Sequence, residues 1–144
     1  MATQNGWLYW AMLSAVFAAL TAIFAKIGIQ GVDSDLATLI RTLVVMIVLG
    51  LFVAYAGKWS NPLRLPARTW LFLVLSALAT GASWVCYFRA LQLGPASKVA
   101  PVDKFSLVLV ALFAFAFLGE RPSPRDWSGI ALIAAGVLLL AWRR

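Results

Sequence analysis

Six charged residues stand where charge is costly. Lys26, Arg41, Arg89, Lys98, Asp103 and Lys104 lie within or beside long apolar runs, and SKVAPVDKFS (97–106) leads straight into LVLVALFAFAFL. A carboxylate among cations in such a setting can form a structural ion pair. It can also bind and release a proton as its surroundings change. Asp103 is the one carboxylate placed well inside an apolar run, with Arg41, Arg89 and Lys104 as candidate partners. Counted along a helix, Arg41 sits ~9 Å and Asp103 ~10 Å past the start of its run. Both depths fall in the outer third of a bilayer core. Lys98 precedes Asp103 by a rotation of about 140° on a helical wheel and faces elsewhere. Lys26, Arg89 and Lys98 have stems long enough to carry their charge to the interface. An aspartate cannot reach that far, so Arg41 and Asp103 are read as lining a pathway or holding a pair, with both readings open.

Pro101 adds a mechanical possibility. Inside a helix it removes the bond to residue 97 and bends the chain, and in the first turn it merely starts the helix. Ser76, Thr80, Ser83 and Tyr87 recur at spacings that share one helical face, with Gly81 and Trp84 nearby. Such a face can line a cavity or hydrogen-bond to a neighbouring helix. Trp10, Phe17 and Thr21 can add walls for aromatic or amphipathic compounds. Gly129 and Gly136 fall on nearly one face and fit close packing, including packing of a second copy. No catalytic set is present. Histidine is absent, Cys86 is the sole cysteine, and no nucleophile–base pair or glycine-rich phosphate loop occurs. The expectation is a non-enzyme with no metal, no cofactor and no use of ATP.

The elements that must position these groups follow from composition. The chain has 144 residues, 63% hydrophobic and 12% charged, and its mean hydropathy is +0.92. Soluble domains carry about twice that share of charge. Five apolar runs are expected to span as helices: 7–26, 35–56, 70–91, 96–118 and 127–142. Each is close to the ~20 residues that cross a hydrocarbon core, and strict alternation typical of barrel strands is missing. The fold class is therefore an all-α membrane protein, one domain over 1–144, in the lipid bilayer. Short links containing Pro62, Pro66, Pro122 and Pro124 force successive spans to run antiparallel. Trp7, Trp59, Trp70, Trp127 and Trp142 fall near span ends, as an interfacial aromatic belt requires. The start MATQNG lacks a basic segment, so no cleavable signal peptide is expected. The net charge of +7 is scattered between apolar runs, which argues for membrane flanks and against nucleic acid.

Orientation is undecided by charge. Lys58, Arg64, Arg68, Arg121 and Arg125 fall on the N-terminal side, while Lys26, Arg89, Lys98, Arg143 and Arg144 fall on the other. Lys/Arg bias sets membrane orientation, and here it nearly vanishes. Span ends uncertain by a few residues can produce that balance. So can a chain that inserts both ways and pairs as an antiparallel homodimer, the arrangement of inverted-repeat transporters.

Three segments carry a resemblance: FAKIGIQGVDSDLATLIRT, YFRALQLGPASKVAPV and LGERPSPRDWSGIALIAAGVLLL. In order and spacing they resemble an EamA-type domain of the drug/metabolite transporter superfamily, over essentially the whole chain. Most such proteins resemble two inverted five-span repeats, so the resemblance implies that a single repeat must pair. It also implies a multi-pass carrier in a cell membrane, as in the bacterial inner membrane, exporting small metabolites or drug-like compounds by alternating access. Proton coupling through Asp103 is an open alternative. The small multidrug exporters of the same superfamily carry a key glutamate in their first span; span one here has no acid, so that carboxylate does not carry over. The competing expectation is a non-transporting or heteromeric subunit that assembles with a partner chain.

Overall fold

The computed structural model describes residues 6–142. Arg143 and Arg144, which enter the flanking-charge count, lie outside the described residues. Among the described residues five helices are long and apolar enough to cross a membrane. They are α1 (Gly6–Gly28), α2 (Ser34–Tyr55), α3 (Ala67–Leu93), a fourth span over Ala96–Leu118, and α6 (Pro124–Ala141). The fourth is divided into α4 (Ala96–Asp103), α5 (Ser106–Phe113) and a π-helical turn (Ala114–Leu118), and a single 3₁₀ turn (Pro62–Arg64) precedes α3. No strand occurs among the described residues. The chain forms two compact units: α1 up to Ile23 with the chain from Gly94 onward, and Phe24–Leu93.

The sequence bounds differ from these by a few residues, and each shift has a cause. Helix α3 begins three residues before Trp70 and continues to Leu93, because a helix outlasts the apolar run that marks it and carries polar turns into the headgroup layer. Helix α6 begins at Pro124 instead of 127, because proline fits the first helical position. Ser123 and Asp126 close a reciprocal capping box there. The Asp126 carboxylate accepts from the Ser123 amide at 2.8 Å, and Ser123 Oγ accepts from the Asp126 amide at 3.3 Å. Ser123→Ala is expected to cost about 1 kcal/mol of stability, read as a lowered unfolding midpoint in detergent; a midpoint equal to the parent's counts against the box. At α2 the Asp33 carboxylate accepts from the amides of Asp35 and Leu36 at 2.9 and 3.1 Å, and Asp35 adds favourable negative charge to the first turn.

Most apolar side chains along the spans are exposed on the isolated chain. That is the condition of helices whose outer surface is solvated by lipid, so the buried set is small. In the Phe24–Leu93 unit it comprises Ile29, Ser34, Thr38, Phe88 and Leu91. Here α2 packs on α3. Thr38 Oγ1 donates to the Ser34 carbonyl at 2.8 Å and Thr42 Oγ1 to that of Thr38 at 2.7 Å, so neither hydroxyl is left unmade. In the other unit α4 and α5 both pack on α6.

The break in the fourth span is the main departure from a plain helix. Pro101 lies six residues into α4, beyond the first turn, so the reading in which it only starts the helix is corrected. It cannot donate to the Ser97 carbonyl. The interruption appears further on, at Lys104 and Phe105. Amides of Lys104, Phe105, Leu107 and Val108 donate three residues back, to Pro101, Val102, Lys104 and Phe105, each at 3.0 Å. The ladder tightens to 3₁₀ over this stretch and then returns to α. At the far end Gly119 adopts φ +68°, a left-handed cap that glycine takes without strain.

Candidate functional site

In the Phe24–Leu93 unit, side-chain contacts set α2 and α3 antiparallel. Arg89 on α3 donates to both Asp35 carboxylate oxygens, at 2.8 and 3.1 Å. Gln92 Nε2 donates to the Val32 carbonyl at 2.7 Å, and Lys26 donates to that of Leu91. One helical turn or more deeper, the Arg41 guanidinium stacks over the Trp84 ring at 4.2 Å and lies 5.4 Å from the Phe88 ring. Arg89 is thus held by Asp35, a partner the sequence reading did not weigh. Both ends of this pair are more than half exposed, so where water reaches them it is worth on the order of 0.2–1 kcal/mol. Its main effect is register, since it fixes which α3 residues face Arg41.

In the other unit, Asp103 is bound by its neighbour Lys104 at 3.2 Å. The pair lies beside the interruption of the fourth span, and Pro101 is half-buried one turn earlier. Lys98 is exposed. A cleft of about 380 Å³ opens between α5 and α6, with Leu107, Val110, Ala114 and Ile130 on its apolar wall and Glu120, Arg121 and Asp126 at its charged rim. None of the pathway, cavity or packing candidates named from sequence lines it.

The polar face of α3 is accessible at Ser76, Thr80 and Ser83 and half-buried at Tyr87. Thr80 Oγ1 donates to the Ser76 carbonyl at 2.8 Å, so its hydroxyl is satisfied within the helix. Trp10 and Phe17 are exposed and Thr21 is half-buried. Gly129 and Gly136 are exposed, and a side chain at either would meet nothing within 4 Å. Their lack of a side chain is therefore not required by packing within this chain. Among the described residues no three His, Cys, Asp or Glu side chains cluster to hold a metal.

Asp35 and Phe88 are the residues that sequence reasoning did not select. Asp35 reads as a helix-start acid and Phe88 as one apolar residue among many. The signal that finds them is the antiparallel register of α2 on α3, which brings Asp35 to Arg89 and Arg41 to the Trp84–Phe88 turn.

Residues 5–142 match the model of the EamA-like transporter family. A protein of Sinorhizobium sp described as an uncharacterized transporter in the cobO 3' region is 59% identical over 138 residues, covering 96% of this chain and 98% of the relative. A probable 4-amino-4-deoxy-L-arabinose-phosphoundecaprenol flippase subunit ArnE of Yersinia pestis is 35% identical over 91 residues, 60% of this chain and 77% of the relative. The corresponding Yersinia pseudotuberculosis subunit is similar to the same extent, with 35% identity over 91 residues. No solved structure matches.

Proposed function

Because the chain belongs to the EamA-like transporter family and has five spans among the described residues, we propose that it is one half of a carrier for small metabolites or drug-like compounds, completed by a second five-span chain of opposite orientation. The observation that carries this reading is a relative of one five-span length, matched over 98% of it. Alternating access needs two gated halves around a central site, and inverted repeats supply them. The near-balance of flanking Lys and Arg supports insertion both ways, and hence an antiparallel homodimer in a bacterial inner membrane. Gly129 and Gly136 leave an open face of α6 where a partner helix can approach. Within the Phe24–Leu93 unit, Arg41 and the polar face of α3 are the route-lining candidates; within the other unit, Asp103 is the candidate, with the interruption after Pro101 as a gate.

A second reading has its own support. One relative is named as a flippase subunit, which favours a partner-dependent chain completed by a different protein. Purified chain in liposomes separates the two. Efflux of a solute from a broad metabolite panel, by the chain alone, supports the homodimer. Flux that needs a co-expressed second five-span chain supports the heteromer, and none in either case counts against both. With an active preparation, Asp103→Asn is expected to reduce pH-gradient-driven flux by about tenfold or more while leaving solute exchange, because a neutral amide cannot carry a proton. Gradient-driven flux equal to the parent's makes the carrier an uncoupled facilitator.

A further inference from the structure

We propose that Arg41 is an oxyanion site that takes the carboxylate or phosphate group of a solute. The assignment of that solute as cargo rests on the carrier reading above, but the site itself does not. Arg41 Cζ lies 4.2 Å over the Trp84 ring, so the ring covers one side of the group. Its N–H donors lie in the plane of the group and point outward from its edge. The unit Phe24–Leu93 contains two carboxylates, and both are committed: Asp33 caps α2, and Asp35 holds Arg89. With both carboxylates taken, the neighbours of the Arg41 guanidinium are the Trp84 and Phe88 rings and Tyr87. Donors without acceptors at membrane depth are costly.

The level of the group follows from its aromatic contacts. Arg41 lies seven residues beyond the start of α2 at Ser34, or ~10 Å. The ring it stacks on, Trp84, lies nine residues before the end of α3 at Leu93, or ~13 Å. The two helix ends meet at one level, through Gln92 and Val32. The guanidinium lies against both Trp84 and Phe88, which holds it on α3 near the level of its own backbone. A guanidinium held against a ring, with its N–H fork not taken by a carboxylate, matches two oxygens of a planar carboxylate or a phosphate. The aromatic ring beneath it offers an apolar surface for the rest of the molecule.

The test uses the full chain in phosphatidylcholine nanodiscs and titration calorimetry. Phenyl phosphate and benzoate are the probes, and benzyl alcohol and benzylamine are the controls. The anions are expected to bind saturably and the controls not. Arg41→Gln is expected to weaken anion binding by about ten- to a hundredfold, the loss of a charge-assisted pair. If that variant does not fold, Arg41→Lys decides the matter. It keeps the charge but not the fork, and is expected to lose most of the affinity. Anion binding unchanged in the folded variant, or benzyl alcohol bound as well as phenyl phosphate, overturns the proposal. A repeat in discs containing phosphatidylglycerol identifies the source of the oxyanion. Unaltered phenyl phosphate binding assigns the site to a soluble solute, and competition assigns it to a lipid headgroup. A chain that binds anions but moves nothing in liposomes refutes the carrier reading alone; one that moves solutes but binds no anion refutes this site alone.

Discussion

Fixing the orientation of the chain is expected to abolish transport by either fixed form alone and to restore it when two opposite forms are made together. The flanking cations stand five against five, so a small addition should tip them, because loop Lys and Arg decide orientation. Ser60→Lys with Glu120→Lys raises one side to seven; Gln30→Lys with Leu93→Lys raises the other. All four positions are exposed, and none takes part in the Arg41 stack or the Asp35–Arg89 pair. Each double variant should give one labelled population at its termini, where the parent gives two. Flux should fall to background in each and return on co-expression. A single population in the parent, or full flux from one fixed form, removes the antiparallel homodimer. The partner-dependent reading then stands, and the fixed form that matches the native orientation should keep its activity with the second chain.

The five spans are legible in the sequence because bilayer thickness and helical rise leave little freedom, so length and hydropathy alone locate them. Ends are less legible. The chain stops being apolar before it stops being helical, as at α3, and a cap such as Ser123–Asp126 extends a helix into polar residues. The groups of the site are found by type, since charge within a span stands out. Their partners are not. Arg89 pairs with Asp35 across 54 positions, and Arg41 meets Trp84 through α2–α3 packing. Both contacts depend on which faces of two helices meet and at what register. Hydropathy carries no such information when both helices are apolar nearly all round. Asp103 shows the converse. A local partner, Lys104, was among those named, because adjacency needs no knowledge of packing.

Pro101→Ala separates stability from movement in the fourth span. Proline in a helix interior costs up to about 3 kcal/mol relative to alanine. The substitution restores an amide that can donate to Ser97 and removes the ring that crowds its carbonyl. The unfolding midpoint is therefore expected to rise. Flux is expected to fall by about tenfold or more, because a hinge that absorbs backbone rotation is lost from a moving element. The opposite signs are the point of the experiment. A proline that only disturbs packing would give a more stable chain with unchanged flux, and one needed for folding would give a less stable chain with none. In the native chain the tightened turn stands next to the Asp103–Lys104 pair, so bending there moves a charge as well as a helix. Straightening the span should leave binding of an anion at Arg41 intact, since that residue belongs to the other unit. Loss of flux with retained binding thus places the defect in movement and not in recognition.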